Sequence, residues 1–284
     1  MTAATGKLLA VSDLHVGHPG NREVLEAIRP TSDEDWLIVA GDVGELVADV
    51  EWALGVLSRR FARVIWAPGN HELWTPPGDA VRLRGERRYR HLVEICRGLG
   101  VLTPEDPYAV WAGRSGPVRV APLFVLYDYS FRDDDLADCT RALDLAYQRG
   151  VVCTDEFLLH PDPYPSRQAW CESRLDISRG RLESGDTHLP SVLVNHFPLY
   201  RGSTRILRHQ DFALWCGTVH TNDWHLRYRA QAVVYGHLHI PRTTFHDGVR
   251  FEEVSIGYPR EWQRRGDRVP PIRQILPGLD GDDD

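Results

Sequence analysis

The N-terminal part of the chain alternates short apolar runs with segments of helical periodicity, and this alternation constrains the fold most. Three apolar runs, residues 7–12, 36–40 and 63–67, are too short for ordinary helices and predict buried strands. Residues 21–28 and 47–60, between these runs, carry apolar side chains at helical spacing. Because parallel strands need long crossover connections, this order predicts an α/β fold with a parallel sheet.

The remaining sequence predicts more elements of both kinds. Helices are expected at residues 84–99, 133–150 and 166–182, and strands at residues 108–111, 118–126, 190–195, 232–235, 243–246 and 249–255. The pair Asp247-Gly248 lies between the last two strands and indicates a hairpin.

The length and composition suit one large core. A chain of 284 residues, 42% of them hydrophobic, can bury such a core, so we expect a single domain over residues 1–270. Residues 126–190 interrupt this domain as an insertion that we expect to act as a cap. Residues 271–284 form a short acidic segment, which predicts a disordered tail.

Composition and charge exclude several classes of protein. The sequence starts without the basic and apolar segments of a signal peptide, and no apolar run approaches the ~20 residues of a membrane helix. We therefore expect a cytoplasmic enzyme with no membrane partner. The five cysteines show no C-x-x-C spacing, which argues against a disulfide framework or a thiolate zinc site. A net charge of -7 disfavours a nucleic-acid partner.

Five short motifs contain metal-ligand side chains, most of them directly after a predicted strand. They are Asp13-Leu14-His15, Gly41-Asp42, Gly69-Asn70-His71-Glu72, Asn195-His196 and Gly236-His237-Leu238-His239. Any one of them could be a turn or a core histidine, but core packing gives no reason for all five. Ligand sites gather beyond the carboxyl ends of parallel strands. Carboxylate, amide and imidazole groups suit Mn, Fe, Zn or Mg, so the motifs predict a two-metal hydrolytic site.

The order of these motifs resembles the calcineurin-like metallophosphoesterase superfamily over residues 13–239. The resemblance implies a four-layer αββα sandwich and two divalent ions, which could be Mn, Fe or Zn. It also implies that Asp13, His15, Asp42 and His239 hold the first ion, and that Asp42, Asn70, His196 and His237 hold the second. His71 would lie near the scissile oxygen as the catalytic acid. Glu72 could accept a hydrogen bond from a liganding imidazole, or cap the following turn as an acidic first-turn residue, and both roles stay open.

Segments outside the motifs must determine the substrate specificity, because the superfamily hydrolyses many phosphoesters. His18, Asn21 and Arg260 are candidates to contact a bound phosphate. Five runs resemble the actinobacterial 4'-phosphopantetheinyl hydrolases: residues 35–43, 64–75, 192–199, 234–244 and 248–262. This resemblance implies that the enzyme releases 4'-phosphopantetheine from a holo acyl carrier protein. The alternative is a metallophosphatase or phosphodiesterase that acts on a small phosphorylated metabolite or nucleotide.

Residues 82–97 contain six arginines and only two glutamates. Such a segment is a solvated helix face or a docking patch for an acidic partner. If the substrate is an acidic carrier protein, complementary charge gives the patch a purpose.

Overall fold

The computed structural model describes residues 6–113, 116–132, 138–266 and 271–278. Its helices are α1 (Asn21–Ala27), α2 (Val47–Ser58), α3 (Gly85–Gly98), α4 (Cys139–Gln148), α5 (Asp155–Leu158), α6 (Arg167–Ser184), α7 (Trp224–Arg227) and α8 (Pro259–Arg265). Its strands are β1 (Leu8–Val11), β2 (Trp36–Val39), β3 (Arg63–Trp66), β4 (Ala109–Gly113), β5 (Gly116–Pro122), β6 (Ser191–Val194), β7 (Ala230–Tyr235), β8 (Arg242–His246), β9 (Val249–Glu253) and β10 (Arg273–Leu276).

The strands form two sheets. The first has the order β10-β1-β2-β3, and the second has the order β4-β5-β6-β7-β9-β8. Strands β1, β2 and β3 are parallel, as are β5, β6, β7 and β9. Strands β8 and β9 form the predicted hairpin through Asp247-Gly248. Five strands are followed by predicted ligand motifs. The loops at the carboxyl ends of these strands can therefore approach one another.

Alternate residues of each strand face different layers. Leu8 and Ala10 join the apolar cluster between the sheets, whereas Leu9 and Val11 join the cluster that also contains helix residues. Both faces of the strands are covered, which explains why the strand sequences are apolar without alternation. The layers are helix, sheet, sheet and helix.

The chain beyond residue 270 corrects the predicted tail. Residues 273–276 form β10, which pairs antiparallel with β1. Ile275 is fully buried between the sheets. The segment gave no strand signal because only two of its four residues are apolar. Residues 279–284, the acidic part of the predicted tail, lie outside the described residues.

The predicted insertion lies between β5 and β6 and contains α4, α5 and α6. Helix α6 buries Trp170, Cys171 and Leu175, so it is part of the helical layer. The predicted helix at residues 133–150 is observed from Cys139 onward, and residues 133–137 lie outside the described residues. The capping role of the insertion stays a prediction. Among the described residues, no helix is long and apolar enough to cross a bilayer.

Candidate metal centre

Every predicted ligand lies in a loop that follows a strand. The loops after β1, β2, β3, β6 and β7 contain Asp13 and His15, Asp42, Asn70, His196, and His237 and His239, respectively. Five of these residues have left-handed backbone, with φ between 41° and 70°: Asp13, His15, Asp42, His237 and His239. This conformation costs about 1–2 kcal/mol for a residue with a side chain. The surrounding fold must therefore hold the loops in place.

Asp13, His15 and His239 form the first group of potential ligands, with ligand atoms within 4.8 Å of one another. His239 Nε2 lies 3.0 Å from Asp13 Oδ1 and 3.2 Å from His15 Nε2. Asp13 and His15 are fully buried. Two strand-end loops, those after β1 and β7, thus converge on one point.

Asp42, His196 and His237 form a second group at the same spacing. His196 Nε2 lies 3.4 Å from Asp42 Oδ2 and 3.1 Å from Asn70 Oδ1. The Nδ1 atom of His237 is 3.3 Å from His196 Nε2. The structure therefore brings Asn70 into contact with this group.

Asp42 belongs to the second group and also lies close to His15 of the first. Its Oδ2 atom is 3.8 Å from His15 Nε2 and 3.4 Å from His196 Nε2. One carboxylate can therefore reach ligands on both sides, as a bridging ligand must. The bridging role itself stays a prediction.

The donor set fits divalent cations. The facing Nε2 atoms of His15 and His239, 3.2 Å apart, can share at most one hydrogen bond, and a cation between such nitrogens would use both lone pairs. The buried Nδ1 atom of His15 lies 3.5 Å from Glu45 Oε1, which leaves Nε2 to face the ligand group. Oxygen and imidazole donors without thiolate match Mn, Fe or Zn.

The site also favours positive charge. Burial disfavours the imidazolium forms, yet Asp13 raises the pKa of His239 to about 10 and Asp42 raises the pKa of His196 to about 10. Burial, together with the charge of His196, lowers the pKa of His237 to about 3. Bound cations would take the place of the protons on His196 and His239, so metal binding should release protons.

His71 lies at the edge of both groups. Its backbone N–H donates to Asp42 Oδ1 at 2.9 Å, and its ring stacks on Trp74 with centroids 3.7 Å apart. The Nδ1 atom is 3.0 Å from Glu45 Oε1, and Nε2 is 3.7 Å from Asp42 Oδ2. Burial opposes the charged ring, but Asp42 and Glu45 raise the pKa of His71. A protonated ring beside the ligands can serve as an acid, and this role stays a prediction.

Three carboxylates that contact the predicted site residues were missed by sequence reasoning. Glu45 faces His71, and Glu261 Oε2 lies 2.7 Å from His239 Nδ1. Asp155 Oδ1 accepts from Asn70 Nδ2 at 2.9 Å. Glu45 had one available signal, since it follows Asp42 by three residues in the same loop. The other two come from distant segments, and only the fold brings them here.

Glu72 lies in the first turn of the short 3₁₀ helix His71–Leu73, as the second alternative requires, and no imidazole of the described residues donates to its carboxylate. Its carboxylate accepts from the backbone N–H groups of Asp42, Val43 and Gly69 at 3.0–3.1 Å. It therefore ties the loop after β2 to the loop after β3. Burial, with repulsion from Asp42, raises the pKa of Glu72 to about 7.

The three candidate substrate contacts differ in position. Asn21 is buried, and its amide donates to the carbonyls of Leu14 and Gly257, so its assignment to substrate is corrected to a structural tie between loops. The His18 side chain is 43% exposed, and the Arg260 side chain is 76% exposed. Both are exposed enough to meet a ligand, and their roles stay predictions.

Tyr258 completes the wall around the first group. Its ring stacks on His15 with centroids 4.6 Å apart and makes edge contacts with His18 and His239. The residue belongs to the run 248–262 singled out from the sequence, but its contact with the ligands was not anticipated. It shields one side of the imidazoles from solvent.

The fold and this site define the class of the protein. The chain belongs to the calcineurin-like phosphoesterase family, whose sequence model matches residues 6–241. It is a metal-dependent phosphoric ester hydrolase, and the predicted four-layer fold is confirmed.

One named protein is similar to this chain both in sequence and in its crystal structure. The acyl-carrier-protein phosphodiesterase PptH of Mycobacterium tuberculosis is 55% identical over 270 residues, which cover 95% of this chain and 83% of that protein. The crystal structure of phosphopantetheinyl hydrolase PptH from Mycobacterium tuberculosis has a TM-score of 0.95 and 54% identity, and the match covers 98% of each chain. The predicted resemblance to the phosphopantetheinyl hydrolases is confirmed.

Proposed function

We propose that this enzyme uses two divalent ions to hydrolyse the phosphodiester that joins 4'-phosphopantetheine to a carrier-protein serine. The main supporting observation is the two groups of potential ligands, which Asp42 connects through its contacts with His15 and His196, with His71 beside them. The acyl carrier protein is taken as the substrate because it appears in the name of the relative that is 55% identical. The proposed products are apo carrier protein and free 4'-phosphopantetheine.

Seven residues would hold the ions. Asp13, His15, Asp42 and His239 would bind the first ion, and Asp42, Asn70, His196 and His237 the second. When bound, such ions neutralise phosphate oxygens and lower the pKa of water. Mn, Fe and Zn all suit these oxygen and nitrogen donors.

The protein supplies the proton that the leaving group needs. Water adds to phosphorus as the bond from phosphorus to the serine oxygen breaks, and that oxygen takes a proton from His71. Glu45 holds the other ring nitrogen of His71 at 3.0 Å, so the Nε2 edge faces the site. General acid catalysis of this kind contributes about 10²–10⁴-fold.

A direct test uses mass spectrometry of holo carrier protein incubated with the enzyme. The expected result is loss of the phosphopantetheine mass after loading with Mn, Fe or Zn, and no loss after treatment with EDTA. An unchanged carrier, with good turnover of small phosphoesters, would instead support the small-metabolite alternative.

The metal assignment has its own test. D42N should lose bound metal more completely than H15N or H239N, because only Asp42 would contact both ions. Elemental analysis of each variant gives the metal content per chain. Equal losses in the three variants would contradict a bridging Asp42.

We keep the cytoplasm as the expected compartment. All five cysteines are free in the structure, which suits a reducing environment. Cell fractionation would test this expectation.

A further inference from the structure

We propose that Arg82, Arg84 and Arg87 form the surface on which an acidic carrier protein docks, beside His71. The assignment of this surface rests on the proposed release of phosphopantetheine from a carrier. It also fixes the orientation of the bound substrate, with the carrier protein on the His71 side of the site.

The orientation of the substrate follows from which of its bonds breaks. A bond forms between the water oxygen and phosphorus, and the bond between phosphorus and the serine oxygen breaks. The electron pair stays on the serine oxygen, which takes a proton from His71, and the phosphate departs on pantetheine. The attacking water releases one proton to solvent, and His71 regains one from solvent. The serine oxygen must therefore come within hydrogen-bond distance of His71. Because this serine belongs to the carrier itself, the carrier must contact the enzyme surface next to His71.

A short series of contacts leads from His71 to the arginines. His71 stacks on Trp74, and Thr75 follows Trp74 in the chain. The hydroxyl of Thr75 donates to the carbonyl of Leu83 at 2.9 Å, and Leu83 is followed by Arg84. Trp74, Thr75 and Leu83 therefore connect the arginine groove to His71, the residue that would protonate the leaving group.

The three arginines present more positive charge than their surroundings neutralise. They line a groove of about 470 Å³ together with Leu83, Asp162 and Pro163. Arg82 donates to the carbonyls of Pro76 and Pro77, which carry no charge. Arg84 pairs with exposed Asp162 at 3.3 Å, and Arg87 makes no ion pair with the described residues. Three guanidinium groups thus face one carboxylate, which suits an acidic partner.

The other arginines of residues 82–97 are occupied within the protein. Arg88 is buried and pairs with Asp79 at 2.8 Å. Arg90 and Arg97 each pair with an acidic side chain at 2.8 Å. The hypothesis of one docking patch over residues 82–97 is therefore narrowed to the three arginines of the groove.

The test reverses charge on this surface in the full-length, metal-loaded enzyme. In R84E/R87E, kcat/KM for holo carrier should fall about 10-fold or more at low salt. Hydrolysis of bis(p-nitrophenyl) phosphate should stay unchanged, because this small diester needs no docking surface. Salt should slow carrier hydrolysis by the unmodified enzyme, and the variant should lose most of that dependence.

A matched control reverses two arginines elsewhere. Arg141 and Arg205 line a separate cavity of about 650 Å³, and R141E/R205E should leave carrier hydrolysis unchanged. If charge reversal prevents folding, R84Q/R87Q provides the same comparison with a smaller expected loss.

Three results would overturn the docking surface. They are an unchanged carrier rate in R84E/R87E, a larger loss in the control variant, or an equal loss on the small diester. Failure of the proposed function is distinguishable from all three, because the unmodified enzyme would then release no phosphopantetheine from any carrier.

Discussion

At the scale of single residues, the contacts of His71 suit an acid or a metal ligand. Its ring is fixed by stacking on Trp74 and by the contact of Nδ1 with Glu45. These contacts leave Nε2 facing Asp42 at 3.7 Å. His71 also lies within ligand distance of His15 and Asp42, so its role must be settled by substitution.

H71N should keep its metal content and lose about 100-fold or more in kcat on esters with poor leaving groups, because such groups need a proton as they depart. The loss on a p-nitrophenyl ester should be much smaller. Elemental analysis and steady-state kinetics check both statements. H220N, at a side chain that is 61% exposed, is the matched control. Loss of metal in H71N would show instead that His71 is a ligand.

At the scale of elements, helix α5 contributes to the site although it belongs to the predicted insertion. Asp155 accepts from Asn70 at 2.9 Å and from the indole N–H of Trp74 at 2.6 Å. It therefore holds both a predicted ligand and the ring under His71. A partner of this kind fixes the orientation of the ligand it contacts.

D155A should weaken metal binding by about 10–100-fold, because Asn70 loses the group that orients it. Metal titration of the metal-free protein measures the affinity. E156A is the control, since Glu156 lies in the same helix and bonds to Arg167, Tyr129 and Trp215 instead. Equal weakening in both variants would mean that the stability of α5 matters and the Asn70 contact does not.

Strand β10 gives a second prediction at this scale. I275A should lower the free energy of unfolding by about 2–5 kcal/mol, because the side chain fills the space between the sheets. Q274A should cost much less, since Gln274 is only partly buried. Urea unfolding of both variants provides the comparison. A similarly small effect of both would show that β10 contributes little to the fold.

At the scale of the whole molecule, the acidic groups around the site make stability depend on pH. Burial, with repulsion from Asp13, raises the pKa of Glu253 from its ordinary 4.5 to about 7. The folded protein therefore binds more protons than the unfolded chain between these values. Stability from this group is present below pH 4.5 and is lost as the pH rises through 7.

E253Q should remove this loss, because glutamine does not titrate. Relative to the unmodified protein, its free energy of unfolding should rise by up to about 3 kcal/mol between pH 4.5 and pH 8. Urea unfolding of EDTA-treated protein at several pH values measures the difference. E94Q, at an exposed position, should show no such trend. A constant difference in E253Q would contradict the raised pKa.

The sequence allowed the strand-end ligands to be predicted because buried strands have a clear apolar pattern and ligands follow their ends. Asp13, Asp42 and His196 all lie where this pattern places them. Asp155 and Glu261 could not be predicted, because their contacts depend on how distant segments pack. The positions of Asn21 and Arg88 were predicted wrongly for a related reason. A polar side chain near a motif, or on a basic helix, is expected to be exposed to solvent, whereas both of these are buried.

The left-handed backbone at five predicted ligands has a consequence for mutational scanning of this protein. Glycine adopts this conformation without the cost that a side chain imposes. A mutational scan scored by cellular abundance should therefore tolerate glycine at positions such as His15 and His239. A scan of the same library scored by turnover should reject it. The positions at which the two scores diverge would mark out the catalytic centre of this chain from mutational tolerance alone.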